Sequence, residues 1–358
     1  MMRSDRAIVT RRVSSSEADT IAQIVLNGRP MIFKQLRYLA ICALLVMLGS
    51  AWVAPARATT TFEFATAERG RAIIAARDEY VQRLSPLERA LKAKSETSVS
   101  EEDFLKLLAG AVLPWSDADR AAVQAALESI RPKLAELNLP LPNSVLFVRT
   151  TSAVEGNSPH TRANAILLTE SSVGRPDRLA YLIAHELFHI ASRYDKTWRD
   201  AMYATIGCVP IEEVTLPLQL ASRKITNPDA PRIDVAIKVQ IDDGVVWVAP
   251  LLQSTVDRYD AAQGGEFHKF LKLTWLEVAR GEPVPGRAEL TQPPHFRDTA
   301  QLRGFLEQIG RNTKYIIHPE EILADNFAQL ATGQTGPSPE VHQRLREALQ
   351  SQASIRRR

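Results

Sequence analysis

The stretch LAYLIAHELFHIASRYD, Leu179 to Asp195, constrains the fold more than any other. Its flanks read as a buried helix, and Glu186 is the only Asp, Glu, Lys or Arg between Leu179 and Ser192. Yet its middle holds His185, Glu186 and His189. In a helix, positions i and i+4 lie almost above one another, about 6 Å apart along the axis, so both imidazoles point to one side. Buried without partners, such groups cost several kcal/mol, roughly 2–7 for even a neutral one. Any fold built around this helix must bring something to meet them.

The spacing is HExxH, in which two histidines on one helical face hold a single zinc ion and the glutamate beside them acts as a base. Zinc also needs a third protein ligand and an open position. The competing reading is a wetted stripe of His185, His189, Ser192, Arg193 and Lys196. The string also arises by chance in about one chain of this length in a hundred. The scarcity of charge around Glu186 argues against a wet face.

A second string, HPEEILADNFAQL, begins at His318. Glu321 and Asp325 are again i and i+4, and Ala324 and Ala328 would let this helix approach another closely. Glu321 is the expected third ligand, with Glu320 as the alternative. Asp325 would accept a hydrogen bond from the far nitrogen of a ligating histidine. Pro319, Glu320 and Glu321 would also make a good helix start on their own, with proline at the first position and acids facing the dipole.

HELFH followed by EILAD resembles the gluzincin metallopeptidases, whose pattern is HExxH and then a helix bearing E-x-x-x-D. The Ala-Asp ending is most similar to the branch of CAAX-prenyl endopeptidases and heat-shock membrane proteases. The resemblance implies a zincin-like catalytic domain, with Glu186 as general base and His185, His189 and Glu321 as zinc ligands. NAILLTES, residues 164–171, loosely resembles the edge strand on which those enzymes lay an extended peptide. The 131 residues between His189 and Glu321 exceed the family's usual spacing, and its several membrane spans have no counterpart here.

Charge and composition bound the remaining possibilities. Residues 1–58 contain eight Lys/Arg and three Asp/Glu; the remaining 300 hold 36 basic and 38 acidic residues, with no basic stripe. Nucleic acid is therefore not an expected partner. Lys34 and Arg37, an apolar run from Tyr38 to Val53 and the sequence APARA to Ala58 describe an export signal cleaved after Ala58. The alternative is an uncleaved anchor over residues 38–53, the one membrane contact expected. Residues 1–30 read as an extension upstream of Met31. Cys42 would leave with the signal, so Cys208 would stand alone, without an internal disulfide.

With 45% apolar residues, the chain can bury a sizeable core. The expected class is α+β: a helical segment over 59–143, a zincin-like domain over 144–335, and a C-terminal helix with a basic tail over 336–358. Within the domain, SVLFVRTT and NAILLTES read as strands. RIDVAIKVQ and VVWVAPLLQ read as a hairpin turning at Asp243-Gly244. Helices are expected at 176–195, 197–206, 266–279, 298–310, 319–332 and 339–349. The expected activity is zinc-dependent hydrolysis of a peptide or protein outside the cytoplasm. The alternative is an exported binding or envelope-assembly protein of the same fold without turnover. A donor for the developing oxyanion is sought among Tyr315, His318, His295 and Tyr259. His268 and His160 read as structural.

Overall fold

The computed structural model describes residues 60–356, apart from 243, 265–266, 282–285, 289 and 291. The expected export signal, Cys42, the alternative anchor and Asp243 lie outside the described residues. The class is mixed α+β, and the described residues form one compact unit.

The first sheet contains β1 (Thr61–Phe64), β2 (Val112–Leu113), β3 (Ser144–Thr150), β4 (His160–Arg162) and β5 (Ala165–Thr169), in the order β1-β3-β5-β4, with β2 paired to β3. β1 and β5 run parallel to β3, whereas β2 and β4 are antiparallel to their neighbours. Residues 60–143 hold helices at Ala67–Ile74, Pro86–Lys92, Glu101–Gly110 and Asp117–Leu137, and also lend this sheet two short strands, β1 pairing with β3 with Phe62 opposite Val145. NAILLTES does not supply the expected edge: β5 lies between β3 and β4. Its run Ala165–Leu168 is fully buried, as an interior strand covered on both faces requires.

The second sheet is antiparallel, in the order β10-β9-β8-β7-β6: β6 (Cys208–Pro210), β7 (Val235–Ile241), β8 (Gly244–Ser254), β9 (Leu271–Arg280) and β10 (Phe296–Arg297). β7 and β8 are the expected hairpin. The helix expected at 266–279 is instead a short 3₁₀ turn, Phe267–Phe270, followed by β9. Thr274 to Val278 are buried in succession between β8 and β10. A change of phase at Leu276 breaks the two-residue alternation that would have marked a strand. The helix expected at 298–310 shrinks to a 3₁₀ turn at Thr299–Gln301 and a helix at Phe305–Ile309. Gly304 between them has φ 80°, a left-handed turn that ends any continuous helix.

Five helices frame the functional region: α1 (Asp117–Leu137), α2 (Pro176–Tyr194), α3 (Lys196–Ala204), α4 (Pro319–Thr332) and α5 (Pro339–Arg356). α2 buries Leu179, Ile183, Leu187 and Phe188 in the main core, with Phe147 and Ile166 of the first sheet and Ile322, Leu323 and Phe327 of α4. The Phe188 and Phe327 rings pack 5.9 Å apart. Ala324 and Ala328 are fully buried in the same core, so small side chains occupy the α4 surface packed among these elements. No described helix is long and apolar enough to cross a membrane.

Tyr80, Glu88, Lys92 and Glu155 form a buried ionic cluster. Lys92 Nζ lies 2.5 Å from Glu155, 2.6 Å from the Tyr80 hydroxyl and 3.3 Å from Glu88. Burial opposes the charge on Glu155, but Lys92, with His160 and the Tyr80 hydroxyl, holds the carboxyl below its usual range. Lys92→Met would leave two carboxylates buried without their cation. It is expected to destabilise the protein by about 3–5 kcal/mol, read from denaturant unfolding. A loss under about 1 kcal/mol would show that Lys92 does not neutralise the cluster.

Candidate metal centre

α2 and α4 are neighbours in space although 131 residues separate His189 from Glu321. The Nε2 atoms of His185 and His189 stand 3.1 and 3.5 Å from the same oxygen, Oε2 of Glu321. One ligand atom from each residue falls within a 4.8 Å group, and all three residues are buried. Ligands about 2.0 Å from a tetrahedral ion stand roughly 3.3 Å from one another, close to both separations.

The outer side of each ring is also held. His185 Nδ1 lies 2.9 Å from Asp325 Oδ1, and His189 Nδ1 lies 2.9 Å from Glu320 Oε1. An ionised carboxylate can only accept, so each Nδ1 carries a hydrogen. In the neutral ring, Nε2 is then a lone pair aimed at an anionic oxygen. A proton or a cation between nitrogen and oxygen relieves that repulsion. Nε2 of His189 has no hydrogen-bond partner and is shielded from solvent. Burial disfavours charge on His185, but Asp325 and Glu321 override it and raise its pKa to about 9. Burial likewise opposes a charged His189, yet Asp229 and Glu321 push its pKa up. Glu321 is disfavoured as an anion by burial, but His189 and His185 hold it well below the usual carboxylate range. A bound divalent cation would replace the ring protons in this role.

Further groups fix the carboxylates. Glu320 Oε2 accepts from Ser192 Oγ at 2.8 Å and the Tyr203 hydroxyl at 2.6 Å. Asp325 Oδ2 accepts from Thr313 Oγ1. Glu320, the alternative third ligand, is therefore corrected: its carboxylate serves the far nitrogen of His189. Glu186 lies beside the pair, 2% exposed, with Oε2 lacking any hydrogen-bond partner. Burial, reinforced by Asp229, raises its pKa to about 8.

The donor candidates separate. Tyr315 lines the same cleft as His185 and Glu186, its ring 6.5 Å from that of His185. His318 caps α4, its Nδ1 accepting from the Glu320 N–H, and lines a different cavity with Ser192 and Tyr203. Tyr259 is packed edge-on against Phe270 in a small apolar cluster, and His295 lies beside β9, 3.9 Å from Glu277. Neither lines the cleft. Residue type alone makes both of them candidates, and residue type does not encode position. His160 and His268 do line the cleft; His160 is buried on β4, and His268 lies 3.2 Å from Gly156 O and Ser158 Oγ.

The cleft has a volume of about 570 Å³. Ile225, Leu252, Phe267 and Leu271 give its lining an apolar patch, beside Lys92 and Glu155. In sequence, the loop NPDAP, residues 227–231, reads only as a turn. In the fold, Asn227 Nδ2 donates to Glu321 Oε1 at 2.6 Å, and Asp229 brings a carboxylate into a 4.8 Å group with Glu186 and His189. Asn-Pro-Asp is a turn signal with two polar side chains, but nothing in it names their targets.

No protein-family model, curated protein or solved structure matches the chain.

Proposed function

We propose that the protein is a zinc-dependent peptidase with a zincin-like catalytic domain, acting on peptides or proteins outside the cytoplasm. The reading is carried by one observation: two buried imidazole nitrogens, each polarised from behind by a carboxylate, face a single oxygen of Glu321 at near-tetrahedral ligand spacing. His185, His189 and Glu321 would hold the ion, a donor set suited to zinc with a fourth position open. Bound there, zinc would act as a Lewis acid on a carbonyl and lower the pKa of water towards about 7.

The chain's own groups supply the rest. With a divalent cation beside it favouring the carboxylate, Glu186 would take the proton from the attacking water at its unpartnered oxygen, then pass it to the leaving amine as the C–N bond breaks. The Tyr315 hydroxyl is the oxyanion donor that the geometry favours, since its ring alone among the four candidates lines the cleft. The apolar patch would seat a substrate side chain and exclude water from the reacting bond. Placement outside the cytoplasm rests on the pattern of residues 34–58.

Metal analysis of the full chain tests the reading. About one zinc per chain is expected in the wild type, with loss of binding in His189→Ala and Glu321→Ala. Hydrolysis of a mixed peptide library should stop with chelator and return with zinc. An unchanged zinc content in Glu321→Ala would remove that residue from the ligand set. A zinc-loaded wild type that cleaves nothing would favour the binding or assembly role.

A further inference from the structure

The loop between Thr226 and Asp229 lies far in sequence from both metal-centre helices, yet it is tied to the fold at each end. Thr226 donates its N–H to Glu88 Oε1 at 2.7 Å and its hydroxyl to Glu88 Oε2 at 3.0 Å. Asp229 Oδ1 accepts the N–H of Thr161 on β4 at 2.9 Å. Between these anchors, Asn227 Oδ1 accepts the Asp229 N–H at 2.9 Å, closing an Asx turn across Pro228. That bond settles the orientation of the amide: the oxygen is used within the turn, so the NH₂ group must be the one facing Glu321 Oε1 at 2.6 Å. Glu321 is left with one oxygen engaged by Asn227 and the other, Oε2, facing both histidines.

We propose that Asn227 is a positioning residue for the metal. By occupying Oε1, it makes Glu321 a one-oxygen ligand and sets the affinity of the centre from outside both helices. The inference rests on the metal reading above. Without this donor, Glu321 would no longer be held with Oε2 alone towards the two histidines, and Oε1 would be free to turn towards them as well. Hydrogen-bond partners of metal ligands are typically worth about 10–100-fold in affinity.

Two substitutions separate the donor from the turn. Asn227→Ala removes both. Asn227→Asp keeps an oxygen to accept the Asp229 N–H but sets a carboxylate against Glu321. Zinc affinity of the full chain, measured by competition with a chelator, should fall about 10–100-fold in Asn227→Ala and at least as far in Asn227→Asp. Cobalt(II) substitution supplies a readout that loop loosening alone would not move. The strong visible absorption of a four-coordinate ion should weaken in Asn227→Ala as the freed oxygen binds. Melting of the zinc-free variants near the wild-type temperature would verify that they fold. Zinc affinity within twofold of wild type in either variant overturns the proposal; for Asn227→Asp, it would mean that the turn matters and the donor does not. A wild type that takes up no zinc removes the metal reading and this inference together, an outcome distinct from variants that match a zinc-binding wild type.

Discussion

Glu186→Gln is expected to lose hydrolysis by a factor of about 10²–10⁴ while keeping its zinc. The amide has nearly the shape of the carboxylate, so the 2%-exposed pocket around it should accept the change. What disappears is the capacity to take a proton. The oxygen concerned, Oε2, has no other partner, so no structural hydrogen bond is lost at that atom. The converging ligand atoms belong to His185, His189 and Glu321, which the substitution leaves untouched. The measurement is kcat/KM on the fastest-cleaved peptide, with zinc content determined on the same preparation. Full activity in Glu186→Gln would remove the general-base assignment.

The second large effect is a pH dependence of the metal-free protein. His185 has its pKa raised from 6.5 to about 9 in the folded state, so its contribution is complete below about pH 6.5 and lost as pH rises through 9. Glu186 acts in the same direction. Its folded pKa of about 8 lies above the ordinary 4.5, so the folded protein binds the extra proton across that window and loses stability as pH rises through it. The depressed pKa of Glu321 acts below pH 4.5, outside this range. A tenfold change in proton affinity corresponds to about 1.4 kcal/mol, so the His185 contribution alone is on the order of 3 kcal/mol. Zinc requires the neutral imidazoles and displaces those protons, so its stabilisation should grow as pH rises. Thermal unfolding between pH 6 and 9, with chelator or with zinc, should therefore show two curves that diverge towards alkaline pH. Parallel curves would mean that metal and protons do not compete for these nitrogens.

Local spacing carries some of this protein and contact order hides the rest. The helix of His185 to His189 and that of Glu321 to Asp325 were legible because four-residue spacing aligns side chains on a helix wherever it is placed. The β7–β8 hairpin was legible for a similar local reason. β9 was not: the alternation of Leu271, Leu273 and Trp275 with Lys272 and Thr274 changes phase at Leu276, so apolar residues fall on both faces of a strand buried between two neighbours. β1 was missed because four residues carry too little pattern, and its pairing with β3 spans more than eighty positions.

The sequence by itself determined the chemistry of two helix faces, imidazoles with an acid on one and paired carboxylates on the other, since an α-helix repeats every 3.6 residues whatever surrounds it. Tertiary structure decided which carboxylate meets which nitrogen: Glu321 faces both Nε2 atoms, while Glu320 and Asp325 take the two Nδ1 atoms. It also brought in Asn227 and Asp229 from a loop whose sequence reads only as a turn. Such partnerships depend on how helices rotate and close against one another, which packing of the shared core sets and local spacing does not encode.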